Sequence, residues 1–495
     1  MNVYLRLLFA TGLLLPACAD RDPKLDQPLQ VRAPVEVGGS LLLLDTTRER
    51  IDVVGSTGHA PTLSHLAFAG QPTQQVRTAD GARLLWLDTP ARKVSVATPT
   101  WVRSQPLGSP FSGLQLSDDG AYAVAWHTPQ ASADALVNPA EVALLDAQGL
   151  APPRAATITG LARQALAAHV SPPVDLPGGQ HRLVWVDAPS MMGLADFGPT
   201  GVRTAVVQLT ASAATTDVTP RASVARVQPN GIDLYVVAQG TGDVLHLRIG
   251  LSTDQIDVSI DQIAAGTAPV DLHVYEQKSG GLRVLTANAG SHDVALLDPT
   301  TGTGFTVALD IAPAKILPFT DGTHNWAAIW APGYSSLSIA DLDQLAKKKG
   351  KALSLVTTEQ PIRGIVPAGA RLLLLHDSAT AGLSIYDAGT TQLTSFKGTG
   401  QVVDLRVVAG NAYLLGSTNG QSRISRISLS DLHGSSLTMA ESGAGLHTFG
   451  TSGIAISGQG LGGWWLATFP DGTLDASKAN FLEGFTLSGI YGGVQ

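Results

Sequence analysis

The sequence predicts an all-β fold, a closed ring of small four-stranded sheets in place of one large core. Three observations predict it. A phrase recurs along the chain: from Leu282 to Asp310 (LRVLTANAGSHDVALLDPTTGTGFTVALD) it runs apolar strand, small polar turn, strand ending in Asp, Thr/Gly turn and strand. The stretches from Leu234 (LYVVAQGTGDVLHLRI) and Leu372 (LLLLHDSATAGLSIYDAGTTQLTSF) repeat it. Second, a proline opens an apolar strand at Pro61, Pro110, Pro173, Pro220, Pro269, Pro313 and Pro361, at intervals of 49, 63, 47, 49, 44 and 48 residues. Third, 53 Gly and 29 Pro are spread through 495 residues, as turns every few residues require. Four short strands cannot bury both faces of their sheet alone, whereas stacked copies can, so a period of this size marks a repeat architecture.

Taken from the N-terminus, residues 1–17 read as a signal peptide: Arg6, then the apolar run Leu7 to Leu15, too short to span a bilayer. Leu15-Pro16-Ala17-Cys18 resembles the lipobox of bacterial lipoproteins, in which Cys18 receives the lipid; the alternative is an ordinary signal peptide cut near Ala17 or Ala19. Cys18 is the one cysteine of the chain, so the exported body is expected to hold without disulfides. Residues 18–39, polar and Pro-containing, read as the lipidated Cys18 and a flexible tether, leaving 40–495 as the ring. Ala19 after the cysteine, by resemblance to enterobacterial sorting, favours the outer membrane.

The first apolar strands, LLLLD (41–45) and RIDVVG (50–55), look like the third and fourth strands of a sheet. The last pair, SGIAISG (452–458) and GWWLATF (463–469), looks like the first and second. A mixed terminal sheet is therefore expected to close the ring and remove its open seam. Between them, each Pro-led strand is an expected sheet opener, because a first strand tolerates the missing N–H. Two further openers lack the proline, Val402 and His447, giving eight or nine sheets, with seven to ten allowed. Turns such as Ser117-Asp118-Asp119-Gly120 and Pro229-Asn230-Gly231 supply positive φ for tight reversals. Asp146, Asp298 and Asp387, ending third strands, are expected to accept backbone N–H bonds in the next turn.

The strand plus Thr286-Ala287-Asn288-Ala289-Gly290-Ser291, the strand ending Leu297-Asp298, the Thr300-Thr301-Gly302 turn and the G-x-x-P lead into the next unit resemble the YVTN-type β-propeller repeat of surface-layer and YncE-like proteins. The resemblance covers most of the chain from about Leu41 and is strongest between Pro220 and Asp387. It implies a single closed β-propeller of four-stranded blades.

Composition excludes several functions. Net charge is −8, and the only basic cluster is Lys347-Lys348-Lys349 with Lys351, read as a solvated loop or helix end, so no nucleic-acid partner is expected. With 44% hydrophobic and 15% charged residues, the chain is not expected to be disordered overall. The sequence carries no HExxH, CxxC, GxSxG or phosphate loop, and no cofactor or metal is expected. Its 12 His show no i, i+4 pair on a helix. Asp341 and Asp343 stand where carboxylates cap a short helix. Asp298-Pro-Thr-Thr-Gly302 resembles the DxxTG of quinoprotein propellers but lacks the Lys and Trp that follow there, and reads as a turn.

One constellation could carry chemistry. In the resembling propellers the first strand of each blade lines the central channel. Counting two and four residues from each opener gives Asp175, Asp271, His273, Lys315, Arg363, Asp404 and Arg406, with His65 in the +4 place of its unit. These groups either pair around the rim and hold water, or bind a ligand. The function expected is a lipid-anchored, non-enzymatic binding or scaffolding module at the cell envelope, with a protein, glycan or small molecule as ligand. The alternative is a propeller enzyme of lactonase or quinoprotein type, for which Asp175, Asp271, His273 and Asp404 would have to supply the metal cluster.

Overall fold

The structure, a computed structural model, describes residues 30–483 except 58–59, 130–136, 150, 210–217, 253–254, 379, 398–399, 419–420 and 461–462. Its strands form ten antiparallel sheets in chain order, spanning residues 35–67, 74–106, 113–157, 167–208, 219–264, 269–308, 315–357, 362–396, 401–438 and 445–482. Nine are four-stranded meanders; the fourth carries in addition a short strand, Val174–Leu176. The chain is a β-propeller, and no described helix is long and apolar enough to cross a membrane.

The sheets stack face to face, which explains the continuous apolar second strands. Alternate side chains of one strand point to opposite neighbours. In LLWLD, Leu84 and Trp86 pack on the first sheet, while Leu85 and Leu87 pack on the third. Leu372 and Leu374 likewise join the seventh sheet, and Leu373 the ninth. A strand covered on both faces needs apolar residues at every position, not at every second one. Each of the ten apolar clusters is shared by two sheets, and the tenth joins Leu41, Leu43 and Val54 of the first sheet to Phe449, Ala455 and Leu466 of the last.

First strands are innermost. Hydrogen bonds pass between the first strands of successive sheets, as from Ile316 N–H to Asp271 and from Arg363 to the Val402 carbonyl. Fourth strands, such as Ala60–Ala67 and Ile256–Ala264, are the most exposed. The Asp residues ending third strands act as expected. Asp298 accepts from the Thr300 and Thr301 amides, Asp387 from Gly389 and Thr390, and Asp146 from Gln148 and Ala151. Asp341 accepts from the Asp343 and Gln344 amides ahead of the helix Leu345–Lys348.

Four expectations are corrected. The terminal sheet is not mixed: LLLLD and RIDVVG are the second and third strands of a sheet made wholly from residues 35–67, and the last sheet is made wholly from 445–482. The single mixed sheet thus resolves into two whole ones, which takes the count from eight or nine to ten. The segment expected to be a tether cannot run to residue 39, because Val35–Val37 is the first strand of the first sheet. Pro61 does not open a sheet but lies in a fourth strand, so His65 is not on an inner strand. Finally, Gly231 is not at positive φ; it is glycine because a Cβ would sit 2.0 Å from the Ile249 carbonyl oxygen. Gly120, at φ +66°, does supply the left-handed turn.

Candidate functional site

The inner strands place the charged residues of the rim. In the sixth sheet, Pro269–Glu276 carries a β-bulge between Pro269 and Asp271; in the ninth, Gln401–Val408 carries one between Val402 and Asp404. A bulge releases amides from the ladder. Asp271, just after the bulge, holds two amides: Oδ1 accepts from its neighbour Leu272 N–H (3.0 Å) and Oδ2 from Ile316 N–H of the seventh sheet (2.9 Å). Asp404 repeats the arrangement, with Oδ1 on Leu405 N–H (2.8 Å) and Oδ2 on Leu446 N–H of the tenth sheet (2.9 Å).

These side chains therefore point at the adjacent sheet. The +2 and +4 residues do share a face, but in face-to-face sheets that face looks toward the neighbouring sheet. Lys315 Nζ lies 4.0 Å from Asp271 and is otherwise exposed. Arg363 donates to the Val402 carbonyl (2.7 Å), and Arg406 donates to Asp404 (2.7 Å). His273 stacks on Tyr275 with ring centroids 5.7 Å apart. Burial, with a contribution from the Arg226 charge, lowers its pKa and favours the neutral ring. Asp271, His273 and Lys315 thus gather at the junction of sixth and seventh sheets, and Arg363, Asp404 and Arg406 around the ninth. No hydrogen bond or ion pair among the described residues joins the two groups. Asp175 joins neither: it is exposed on the side strand Val174–Leu176 and accepts only a long bond from Gln180 (3.3 Å). His65 pairs with buried Asp52 (2.7 Å) within the first sheet. Cys18 lies outside the described residues.

The residue with the most inter-sheet bonds at the rim escaped the sequence. Glu36, on the first strand of the first sheet, accepts from Thr448 N–H (2.7 Å) and Thr448 Oγ1 (2.9 Å) of the tenth sheet. It also accepts from Arg77 of the second (2.8 Å) and Arg406 of the ninth (3.3 Å). Burial disfavours its charge, but the Thr448, Arg77 and Arg406 donors outweigh burial and hold the carboxyl below its ordinary pKa. The signal was present in Val35-Glu36-Val37-Gly38-Gly39, an alternating strand and a glycine turn ahead of LLLLD. His447 beside it donates to or accepts from Ser457 Oγ (2.8 Å), and burial pushes its pKa down to about 4.

A cleft of about 340 Å³ opens between the sixth and seventh sheets next to the first group. His273 and Tyr275 form one wall; Pro318, Thr320 and Asn325 stand on the other, with Leu342 at its end. Lys278 crosses between the two sheets to Asp343 (2.8 Å). The cleft combines a flat ring surface, a neutral imidazole able to donate and accept, and the Asn325 amide, while the Thr320 hydroxyl already donates to the His324 carbonyl (2.8 Å) and accepts from Gly322 N–H (2.9 Å). Such a lining has the flat apolar surface and the few polar groups that suit a small polar molecule. Elsewhere, buried carboxylates pair with histidines across strands, as Asp196 with His181 and Asp187 with His169 (both 3.0 Å). These pairs are far apart in sequence, so motif spacing does not show them. Among the described residues, no group of three His, Cys, Asp or Glu is placed to hold a metal ion.

No family model matches the chain, and no curated protein matches it. Among solved structures it is similar to the dihydro-heme d1 dehydrogenase NirN in complex with DHE, at 12% identity and TM-score 0.42, over 85% of this chain and 74% of that one. It is also similar to apo AztD from Citrobacter koseri, at 12% identity and TM-score 0.35 over 75% and 95% of the two chains. A candidate 6-phosphogluconolactonase from Bacteroides fragilis shows 15% identity and TM-score 0.38 over 65% and 92%. No residue role or activity is carried over from them.

Proposed function

We propose that this protein is an exported, lipid-anchored, closed β-propeller that binds a small polar ligand or the end of a glycan at the cell envelope without transforming it. The cleft between the sixth and seventh sheets is its binding site. The observation that carries this reading is the lining of that cleft: His273 on Tyr275 facing Pro318, Thr320 and Asn325 across about 340 Å³. The walls belong to strands packed on both faces, so the site is preorganised. The enzyme alternative needs Asp175, Asp271, His273 and Asp404 together. Asp175 stands apart, and Asp271 and Asp404 are occupied by two backbone amides each. The anchor rests on the lipobox-like Leu15 to Cys18, and the outer-membrane address on Ala19.

The test is a calorimetric titration of the purified protein with a panel of mono- and oligosaccharides and small polar metabolites. Thr320→Trp fills the cleft from its exposed wall, and Asn325→Ala removes an amide. A compound that binds the parent and loses at least tenfold in affinity in Thr320→Trp, at unchanged melting temperature, supports the site. Binding that is the same in both variants moves the site elsewhere.

A further inference from the structure

We propose that residues 31–37 form a releasable clasp on the ring. Glu36 is a plug in a carboxylate cradle built by other sheets, and its withdrawal loosens the contact between the last and first sheets.

The segment directs most of its bonds away from its own sheet. Within the first sheet it has the three-residue strand Val35–Val37, a bridge from Val31 to Asp45 and the Arg32 N–H to Leu44 bond (2.9 Å). To the tenth sheet it gives the Val31 carbonyl, which accepts from Trp464 Nε1 (3.1 Å), and the two Thr448 bonds of Glu36. To the second sheet go the Arg32 guanidinium, on the Pro72 carbonyl, and Glu36 itself, on Arg77. To the ninth goes the Glu36–Arg406 pair. A three-residue strand is a weak hold, so these outward bonds keep the segment in place and the segment keeps the neighbours together.

The cradle has the composition of an anion site. Four donors, a backbone amide, a hydroxyl and two guanidinium groups, converge on one carboxylate. Asp271 and Asp404 differ, each reaching forward to one amide of the next sheet. Glu36 spans the seam and draws on three sheets besides its own. The guanidinium donors are water-accessible, Arg77 by 43% and Arg406 by 38%, while Glu36 is exposed by only 11%. Water, or a free carboxylate, can therefore take over the donors when Glu36 leaves. Release starts from the N-terminal side, because residues 31–37 are the C-terminal part of the segment expected to be the tether and pass directly into the first sheet. Tension on that tether acts on this strand before any other.

The experiment is hydrogen–deuterium exchange on the full-length protein, comparing parent, Glu36→Gln and Glu36→Ala. The expected result is exchange faster by about tenfold or more in residues 31–37 and 445–449, as loss of charge-assisted bonds predicts. The fifth sheet, residues 219–264, keeps its protection. Sodium formate restores protection in Glu36→Ala by filling the cradle, and fails to do so in Glu36→Ala/Arg406→Ala. Parental protection in Glu36→Ala, equal loosening of all sheets, or no response to formate overturns the proposal. Should Glu36→Ala not fold, Arg77→Ala and Thr448→Val remove single donors; unchanged exchange at 445–449 in both then refutes the clasp.

Discussion

Replacing Asp404 tests whether the rim carboxylates hold adjacent sheets together. Asp404 accepts from Leu405 N–H, Leu446 N–H and Arg406 at 2.8, 2.9 and 2.7 Å. Asp404→Ala leaves the Leu446 amide unpaired beside a wholly buried side chain. An orphaned buried amide costs about 1–3 kcal/mol. The Arg406 contact, over a third exposed on the arginine side, adds at most about 1 kcal/mol. The expected loss is about 1–4 kcal/mol, whereas Asp404→Asn keeps a neutral acceptor and loses about 1 kcal/mol. With an unfolding entropy near 2.1 cal/mol/K per residue, a cooperative propeller of this size drops by roughly 1 °C per kcal/mol, so Asp404→Ala lowers the melting temperature by about 1–4 °C. Asp271→Ala should behave alike. The two sites sit at different junctions and share no partner, so the double variant should be additive within about 0.5 kcal/mol. Asp175→Ala, on an exposed side strand, should change nothing measurable. Differential scanning calorimetry of the five variants decides the matter: an Asp404→Ala protein that melts with the parent, or an Asp175→Ala that does not, would falsify the structural role.

Three further outcomes are expected. His447 stays neutral in the folded protein down to about pH 4, whereas the unfolded chain protonates it from about pH 6.5; the unfolded state binds the extra proton between those values, so stability falls as pH drops through the window, by about 3 kcal/mol at most. Urea unfolding at pH 4.5, 5.5 and 7 should show that slope in the parent and a shallower one in His447→Gln, and equal slopes would remove the assignment. Gly231→Ala places a methyl 2.0 Å from a backbone oxygen and should destabilise by several kcal/mol, against about 1 kcal/mol for Gly302→Ala, which has φ +68° and open space; equal chemical-denaturation midpoints would contradict this. Cys18→Ala should abolish acyl labelling and membrane attachment, and a labelled, membrane-bound variant would dismiss the lipid anchor.

The fold was legible because burial on two faces writes itself into composition. LLLLD, LLWLD and RLLLLH could belong only to strands covered on both sides, and the Asp-ended strands located their turns. The sheet count was less legible because the proline mark is not obligatory. Pro110, Pro220, Pro269, Pro313 and Pro361 stand at or just before first strands, but Pro61 lies in a fourth strand and Pro173 before a side strand. The Gln74–Arg77 opener has only Pro72 nearby, outside the strand. Glu36 was missed because a three-residue strand among charged residues looks like linker until its partners are known.

The candidate site was the least legible part, and the motif Val-Asp-Leu shows why. It occurs as Val174-Asp175-Leu176, Val270-Asp271-Leu272 and Val403-Asp404-Leu405, each in an apparent opening strand. In the last two the aspartate follows a bulge, and its carboxylate takes the amide of its own leucine and that of the next sheet. In the first, the same three residues lie on a side hairpin, and the aspartate is exposed. Local sequence sets the β conformation in all three; what the carboxylate does depends on whether a neighbouring sheet offers an unpaired amide. The fifth and eighth sheets carry the same bulge, at Pro220/Ala222 and Ile362/Gly364, with no carboxylate after it. There Arg221 and Arg363 take the bulged position and are exposed, Arg363 donating to the Val402 carbonyl of the next sheet (2.7 Å). A charge on an inner strand of this fold is therefore first a response to backbone geometry. A ligand site has to be sought where side chains remain after the amides are satisfied, and beside the cleft His273 is such a side chain.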